Sequence, residues 1–133
     1  MKLFKTLERI LPRSDCQRLA YFGDSVETRQ FCNYYIKMHD AELFKLKDLP
    51  LKRWSFGGEF FEAMIIEDDT LLDKDDYIKM IKRSLKNDRT FIFISETLQA
   101  SDLEAKLSAF GLSDFRTIES EPFICTARKW GSY

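Results

Sequence analysis

The chain has 133 residues, of which 44% are hydrophobic and 32% are charged, and its formal net charge is -1. This is the composition of an ordinary globular protein that is long enough for one hydrophobic core, so we expect a single domain over residues 1–133. The balanced charge provides no overall field that would attract nucleic acid or anionic lipid, and we expect neither a nucleic-acid partner nor a membrane.

The three cysteines, Cys16, Cys32 and Cys125, are far apart in the sequence, and His39 is the only histidine. No CxxC pair is present, so we expect no structural zinc site. Buried free thiols in a reducing compartment are the simplest interpretation, which predicts a cytoplasmic protein. No apolar run approaches the roughly 20 residues needed to cross a bilayer, and the charged start lacks the apolar core of a signal peptide.

Helix and strand patterns alternate in the first part of the chain. Residues 2–11 have the apolar spacing of a short amphipathic helix. The run RLAYFG, at residues 18–23, has the length of a strand, and either Asp24 or Ser25 can cap a helix after it. The run AELFKL, at residues 41–46, predicts a second strand.

The segment from residue 47 to residue 59 predicts a loop, because it contains Pro50, Gly57 and Gly58. Its LKRWSF sequence places cations next to the aromatic ring of Trp54. Aromatic rings beside cations can stack on bases or contact a partner. Burial of these rings in the core is the interpretation that we favour.

The second part of the chain contains two nearly continuous apolar runs, FEAMIIE at residues 61–67 and TFIFIS at residues 90–95. Such runs are typical of central parallel strands that are covered on both faces. One amphipathic helix lies between them and another ends near Gly111. Two alternating runs, residues 114–119 and 123–128, predict a hairpin. The sequence therefore predicts an α/β fold: a three-layer Rossmann-like sandwich with a mostly parallel sheet and a C-terminal antiparallel hairpin.

The order of these segments resembles the C-terminal half of class I S-adenosylmethionine-dependent methyltransferases. FE at residues 61–62 and EDD at residues 67–69 stand at the two ends of the family's fourth strand. LKND at residues 85–88 is similar to the family's turn before strand five, without its glycines. FGL at residues 110–112 and TARK at residues 126–129 resemble its penultimate turn and its last strand. The resemblance implies a methyltransferase-like fold.

The part of the family that binds the cofactor is incomplete in this sequence. The family has a glycine-rich loop after strand one, because glycine lets the backbone approach the cofactor closely, and here only Gly23 matches it. Between strands one and four the family has two strands, and here only residues 41–46 are available, which implies a truncated sheet. If they are strand two, Asp48 could hold the ribose hydroxyls; if they are strand three, no such residue exists.

In doubly wound sheets, ligands bind beyond the carboxyl ends of the strands. The resemblance then implies the following candidate cofactor-binding residues at this edge: Gly23, Asp24, Ser25, Asp48, Glu67 and Asp68. Residual S-adenosylmethionine binding is one interpretation, and a divalent cation held by carboxylates is another. Helix caps and solvated acids explain several of these residues without a ligand, and we favour that interpretation.

Three functions are compatible with these patterns. The first is a degenerate, non-catalytic methyltransferase-like domain that acts through protein contacts, as a homodimer or with another protein, because a truncated sheet exposes an edge that needs a partner. No cofactor is expected in that case. The alternative is a minimal S-adenosylmethionine-dependent methyltransferase that needs a partner subunit. A receiver-like phosphoacceptor domain is weaker, because Ser95 stands where that family would place lysine.

Overall fold

A computed structural model describes residues 2–11, 16–46, 58, 60–67, 75–95, 100–109, 111–120 and 123–129. Helices and strands alternate along this part of the chain, as the sequence predicts. The elements are α1 (Lys2–Ile10), β1 (Arg18–Phe22), α2 (Val26–His39), β2 (Glu42–Lys45), β3 (Phe61–Ile66), α3 (Asp75–Ser84), β4 (Leu85–Ser95), α4 (Ala100–Ser108), β5 (Leu112–Ser120) and β6 (Phe123–Lys129).

The described strands form one sheet in the order β2-β1-β3-β4-β6-β5. β2, β1, β3 and β4 are parallel to one another, and β6 is antiparallel to both β4 and β5. The predicted mostly parallel sheet with a C-terminal antiparallel hairpin is therefore confirmed. Because β2 pairs directly with β1, residues 41–46 take the place of strand two in a doubly wound sheet.

Helices cover both faces of the sheet, which confirms the three layers of the predicted sandwich. α3 and α4 pack on the face that contains Phe22, Met64 and Phe91. α1 and α2 pack on the opposite face, which contains Tyr21 and Ile65. Every residue of β3 is buried, as expected of a central strand with a layer on each side.

The strand β4 begins earlier than its apolar run predicts, and the expectation of a turn at residues 85–88 is wrong. The strand includes this segment, but its pairing with β3 is irregular: Phe61 lies opposite Leu85 and Ala63 lies opposite Thr90. Five positions of β4 thus span two positions of β3, so the chain bulges out of the ladder here. Polar residues are found in bulges as well as in turns, so the composition of residues 85–88 did not show which of the two would form.

Two helix ends follow local rules. Ser25, not Asp24, caps α2: its hydroxyl accepts a hydrogen bond from the Thr28 N–H. Gly111 after α4 has a φ of 81°, the left-handed conformation that ends many helices. No helix in the described ranges is long and apolar enough to span a membrane.

Candidate functional site

The candidate site lies at the edge of the sheet where β1 and β3 end. Gly23 follows β1 and Glu67 follows β3, and the Glu67 N–H donates a hydrogen bond of 2.7 Å to the Phe22 carbonyl. Alternate residues of a strand share a face, so Glu67 lies on the same side of the sheet as Ile65 and Tyr21. That side is the one covered by α1 and α2.

Both carboxylate oxygens of Glu67 accept hydrogen bonds from this chain. The Tyr21 hydroxyl donates to Oε1, and the Thr28 hydroxyl donates to Oε2 at 2.9 Å. The Ser25 N–H donates to the Tyr21 hydroxyl oxygen at 3.1 Å. These four residues, which we call the Glu67 cluster, connect the ends of β1 and β3 to the first turn of α2.

Gly23 lies against this cluster. A Cβ atom at position 23 would be 2.7 Å from Glu67 Oε1 and equally close to the Tyr21 hydroxyl, which is closer than real Cβ contacts allow. The protein's own side chains thus account for a glycine at this position. In the family that the sequence resembles, the cofactor is the reason for glycine at the matching place.

The electrostatics of the cluster keep its proton donors protonated. Burial raises the pKa of the Tyr21 hydroxyl, and its hydrogen bond to the Glu67 carboxylate raises that pKa further. Burial, together with the negative charge of Glu67, also raises the pKa of the nearby Cys32 thiol to about 12. Tyr21 is therefore a hydrogen-bond donor at neutral pH, and Cys32 is not an activated nucleophile.

The structure places some of the candidate residues together and not others. Gly23, Ser25 and Glu67 lie side by side, as the sequence predicts, while the Asp24 side chain is exposed. Asp48 and Asp68 lie outside the described residues, and so does the aromatic-basic segment around Trp54.

Sequence reasoning missed Tyr21 and Thr28, because both look like ordinary members of a strand and a helix. A signal for Tyr21 was present, since a tyrosine buried in an apolar run needs a partner for its hydroxyl.

The cation interpretation receives no support from the described residues, because no three histidine, cysteine, aspartate or glutamate side chains among them form a group that could hold a metal. Ser95, the residue that stands where a receiver domain would place lysine, is buried at the end of β4.

The hydrogen bonds of the Glu67 cluster hold the loop after β1 in one conformation. The hydroxyls of Tyr21 and Thr28 both donate to the Glu67 carboxylate, so these polar groups are engaged with one another and hold Glu67 in position.

The solved structures of similar fold include several methyltransferases. One is an S-adenosylmethionine-dependent methyltransferase from Archaeoglobus fulgidus, with a TM-score of 0.71, 10% identity, and coverage of 96% of this chain and 93% of that one. A second is the [4+2]-cyclase SpnF, with a TM-score of 0.71, 13% identity, and coverage of 98% and 81%. A third is a Haloferax volcanii methyltransferase in complex with the Trm112 methyltransferase activator, with a TM-score of 0.68, 10% identity, and coverage of 96% and 88%.

Two other similar structures are longer. This chain spans 66% of the length of a protein from Bordetella parapertussis and 36% of the length of an N-methyltransferase from Haemonchus contortus. No protein-family model matches the chain, and no curated protein matches it significantly. The comparisons thus show the class I methyltransferase fold, which confirms the resemblance found in the sequence. Since SpnF has this fold and is a cyclase, the fold alone does not define a reaction.

Proposed function

We propose that this protein is a non-catalytic domain with a methyltransferase-like fold that acts through protein contacts. The observation that carries the proposal is the Glu67 cluster. In a cofactor-binding loop of this fold, the backbone after β1 must lie against the ligand. Here Gly23 lies against Tyr21 and Glu67, whose polar atoms bond one another and Thr28.

The surface that we propose for protein contacts is on α2. Val26, Tyr34 and Met38, which have exposures of 60%, 37% and 65%, are the large hydrophobic residues found exposed in the described part of the chain. Their spacing of eight and four positions places them within about 120° of the helix circumference. We call these three residues the α2 face. Contiguous exposed apolar side chains mark contact surfaces, and Tyr34 and Met38, one helical turn apart, form the adjacent pair of this face.

The occupant that we propose for the α2 face is a second copy of the chain. A helix face can pair with its own copy across a twofold axis, because one patch then serves both partners, and the exposed Gln30 and Lys37 lie within the same arc of α2 as the three apolar residues. The dimer would bury Met38 of each copy, the most exposed large hydrophobic residue described.

A minimal S-adenosylmethionine-dependent methyltransferase that needs a partner subunit is the second candidate. The fold supports it, and the Haloferax volcanii structure holds a methyltransferase of this fold together with an activator. In this case Asp24, which is exposed in the loop after β1, and Glu67 would face the cofactor, and the Tyr21–Glu67 hydrogen bond would have to break to release the Glu67 carboxylate.

Isothermal titration with S-adenosylhomocysteine distinguishes the two candidates. We expect no heat of binding at millimolar ligand, in a sample whose fold is verified by circular dichroism. A micromolar dissociation constant, about -8 kcal/mol, would contradict the non-catalytic proposal and favour the methyltransferase.

Sedimentation velocity over a range of concentrations tests the dimer. We expect self-association of the native chain and its loss in Met38→Glu, because a charge cannot be buried unpaired in an apolar contact. Ser101→Glu is the matched control, since it adds the same charge at an exposed position of α4, on the opposite face of the sheet. A native chain that stays monomeric at all concentrations would rule out the second copy as the occupant.

A further inference from the structure

A second polar site lies near the opposite edge of the sheet, where β1 and β3 begin. It is a cavity of about 160 Å³ between the end of α1 and the strands β3 and β4. Apolar walls come from Ile10, Leu11, Ala63 and Ile92, and Glu62, Arg89 and Thr90 provide the polar lining. The cavity is separate from the Glu67 cluster, because Glu62 is at the start of β3 and Glu67 follows its end.

Glu62 is an acid held inside the protein, with an exposure of 3%. Its Oε1 accepts the N–H groups of Gln17 and Arg18, both at 2.8 Å, and its Oε2 is 2.7 Å from the Lys86 ammonium. Burial opposes ionisation of Glu62, but Lys86 and the two N–H groups outweigh it and hold the pKa of this carboxyl below its usual range. The Glu62 carboxylate in the cavity wall is therefore ionised at neutral pH, and its charge is partly balanced by the Lys86 ammonium.

The positive charge of the cavity comes from Arg89, which is half-buried. Although Glu62 lines the same cavity, no ion pair or hydrogen bond joins the Arg89 guanidinium to any residue in the described ranges. A guanidinium has five N–H donors in a planar fork that suits a carboxylate. Glu62 Oε2 also has acceptor capacity left, since one donor contacts it and a carboxylate oxygen can accept two.

We propose that this cavity binds a small aliphatic α-amino acid as its zwitterion. The ligand carboxylate lies on the Arg89 guanidinium, the ligand ammonium donates to Glu62, and the ligand side chain contacts Ile10, Leu11 and Ile92. Each charge of the ligand meets the opposite charge, so neither is left unpaired in a half-buried site.

The limited volume restricts the side chain. Sites for drug-sized ligands have volumes of about 300–1,000 Å³, and this cavity has about 160 Å³. A branched aliphatic side chain fits the apolar walls, and a large aromatic one does not. This binding site is independent of the proposed function, because it uses none of the residues of the Glu67 cluster or the α2 face.

L-valine, 3-methylbutanoate and isobutylamine are the probes that test the proposal, since the second lacks the ammonium of valine and the third lacks its carboxylate. In titrations followed by ¹H–¹⁵N NMR, we expect valine to shift the amide signals of Leu11, Ala63 and Thr90. We expect each of the other two probes to bind at least about tenfold more weakly, because one charged contact is lost.

Arg89→Gln should lose at least about tenfold in valine affinity with an otherwise native spectrum, and Arg89→Lys should lose less. Arg116→Gln is the matched control, because Arg116 is exposed on β5, and it should bind valine like the native chain. Equal binding of valine and 3-methylbutanoate would overturn the zwitterion assignment in favour of an anion site. The absence of shifts with saturating valine, or an unchanged affinity in Arg89→Gln, would overturn the site itself.

Discussion

Tyr21 and Glu67 are joined by a hydrogen bond across the ends of two neighbouring parallel strands, although 46 positions separate them in the sequence. Tyr21 lies opposite Ile65 in the ladder between β1 and β3, and Glu67 stands two positions further along the chain. The hydroxyl and the carboxylate thus meet above the loop that contains Gly23. This contact closes the loop against the sheet and makes its conformation depend on a residue of β1 and a residue after β3.

Tyr21→Phe removes the donor and leaves Glu67 Oε1 without it. We expect a loss of about 1–3 kcal/mol in the free energy of unfolding, because a partly buried charged acceptor loses its partner. Urea denaturation at pH 7 measures this loss. Tyr34→Phe is the matched control: Tyr34 is exposed and its hydroxyl bonds Glu8 on the surface, so the cost should stay below about 0.5 kcal/mol. Equal losses in both variants would show that the Tyr21–Glu67 hydrogen bond stabilises the fold no more than a hydrogen bond on the surface does.

Gly23→Ala should be destabilising for a steric reason. The new methyl group would lie 2.7 Å from Glu67 Oε1 and from two atoms of Tyr21, and overpacking of this kind costs about 1–3 kcal/mol. Gly58→Ala provides the comparison, because the atom nearest to a Cβ at position 58 would be the Arg83 carbonyl oxygen at 3.7 Å, an ordinary van der Waals distance. Thermal unfolding of both variants measures the difference. A Gly23→Ala protein as stable as native would mean that the Glu67 cluster moves aside easily, as the methyltransferase alternative requires.

The sequence was sufficient for the layers of this fold and for part of the site. The apolar run of β3 predicted a central strand, and the rule that parallel strands end at one edge brought Gly23 and Glu67 together. The partners of Glu67 could not be predicted, because Tyr21 and Thr28 have the apolar neighbours of core residues and lie 46 and 39 positions away. Only the packing of α2 on this face determines that both hydroxyls reach one carboxylate.

The bulge near the start of β4 shows a second limit of sequence reasoning. Residues 85–88 have the composition of a turn, and the structure places them in a bulge between the Phe61–Leu85 and Ala63–Thr90 pairs. Composition alone did not distinguish a turn between two elements from a bulge within one strand.

The three cysteines should be unreactive in the folded protein. Cys16, Cys32 and Cys125 are buried and free, and burial raises the pKa of the Cys32 thiol to about 12 and that of Cys125 to about 11. Reaction with a disulfide reagent at pH 8 should be at least about a hundredfold slower in the native state than in urea, since the thiolate is the reactive form.

An engineered Ser101→Cys variant, with one thiol at an exposed position of α4, is the positive control and should react at once. Rapid reaction of one native thiol in the unaltered chain would contradict the buried positions of the cysteines.

Glu62→Gln should make the protein less sensitive to acid. The pKa of Glu62 in the folded state is below its usual range, which is about 4.3 in an unfolded chain. Its charge therefore stabilises the fold fully above about pH 5, and this contribution is lost as the pH falls through the folded-state pKa. At pH 7 the variant should be less stable by about 1–3 kcal/mol, since Gln17, Arg18 and Lys86 lose a charged acceptor.

The difference between native chain and variant should then shrink as the pH is lowered from 5 towards 3, because both carry a neutral side chain at this position once Glu62 is protonated. Urea midpoints measured at several pH values test this trend. Glu104→Gln, which changes an exposed glutamate of α4, should remain within about 0.5 kcal/mol of native at every pH. A Glu62→Gln difference that stays constant down to pH 3 would mean that Glu62 stabilises the start of β3 by its shape and hydrogen bonds, with no contribution from its charge.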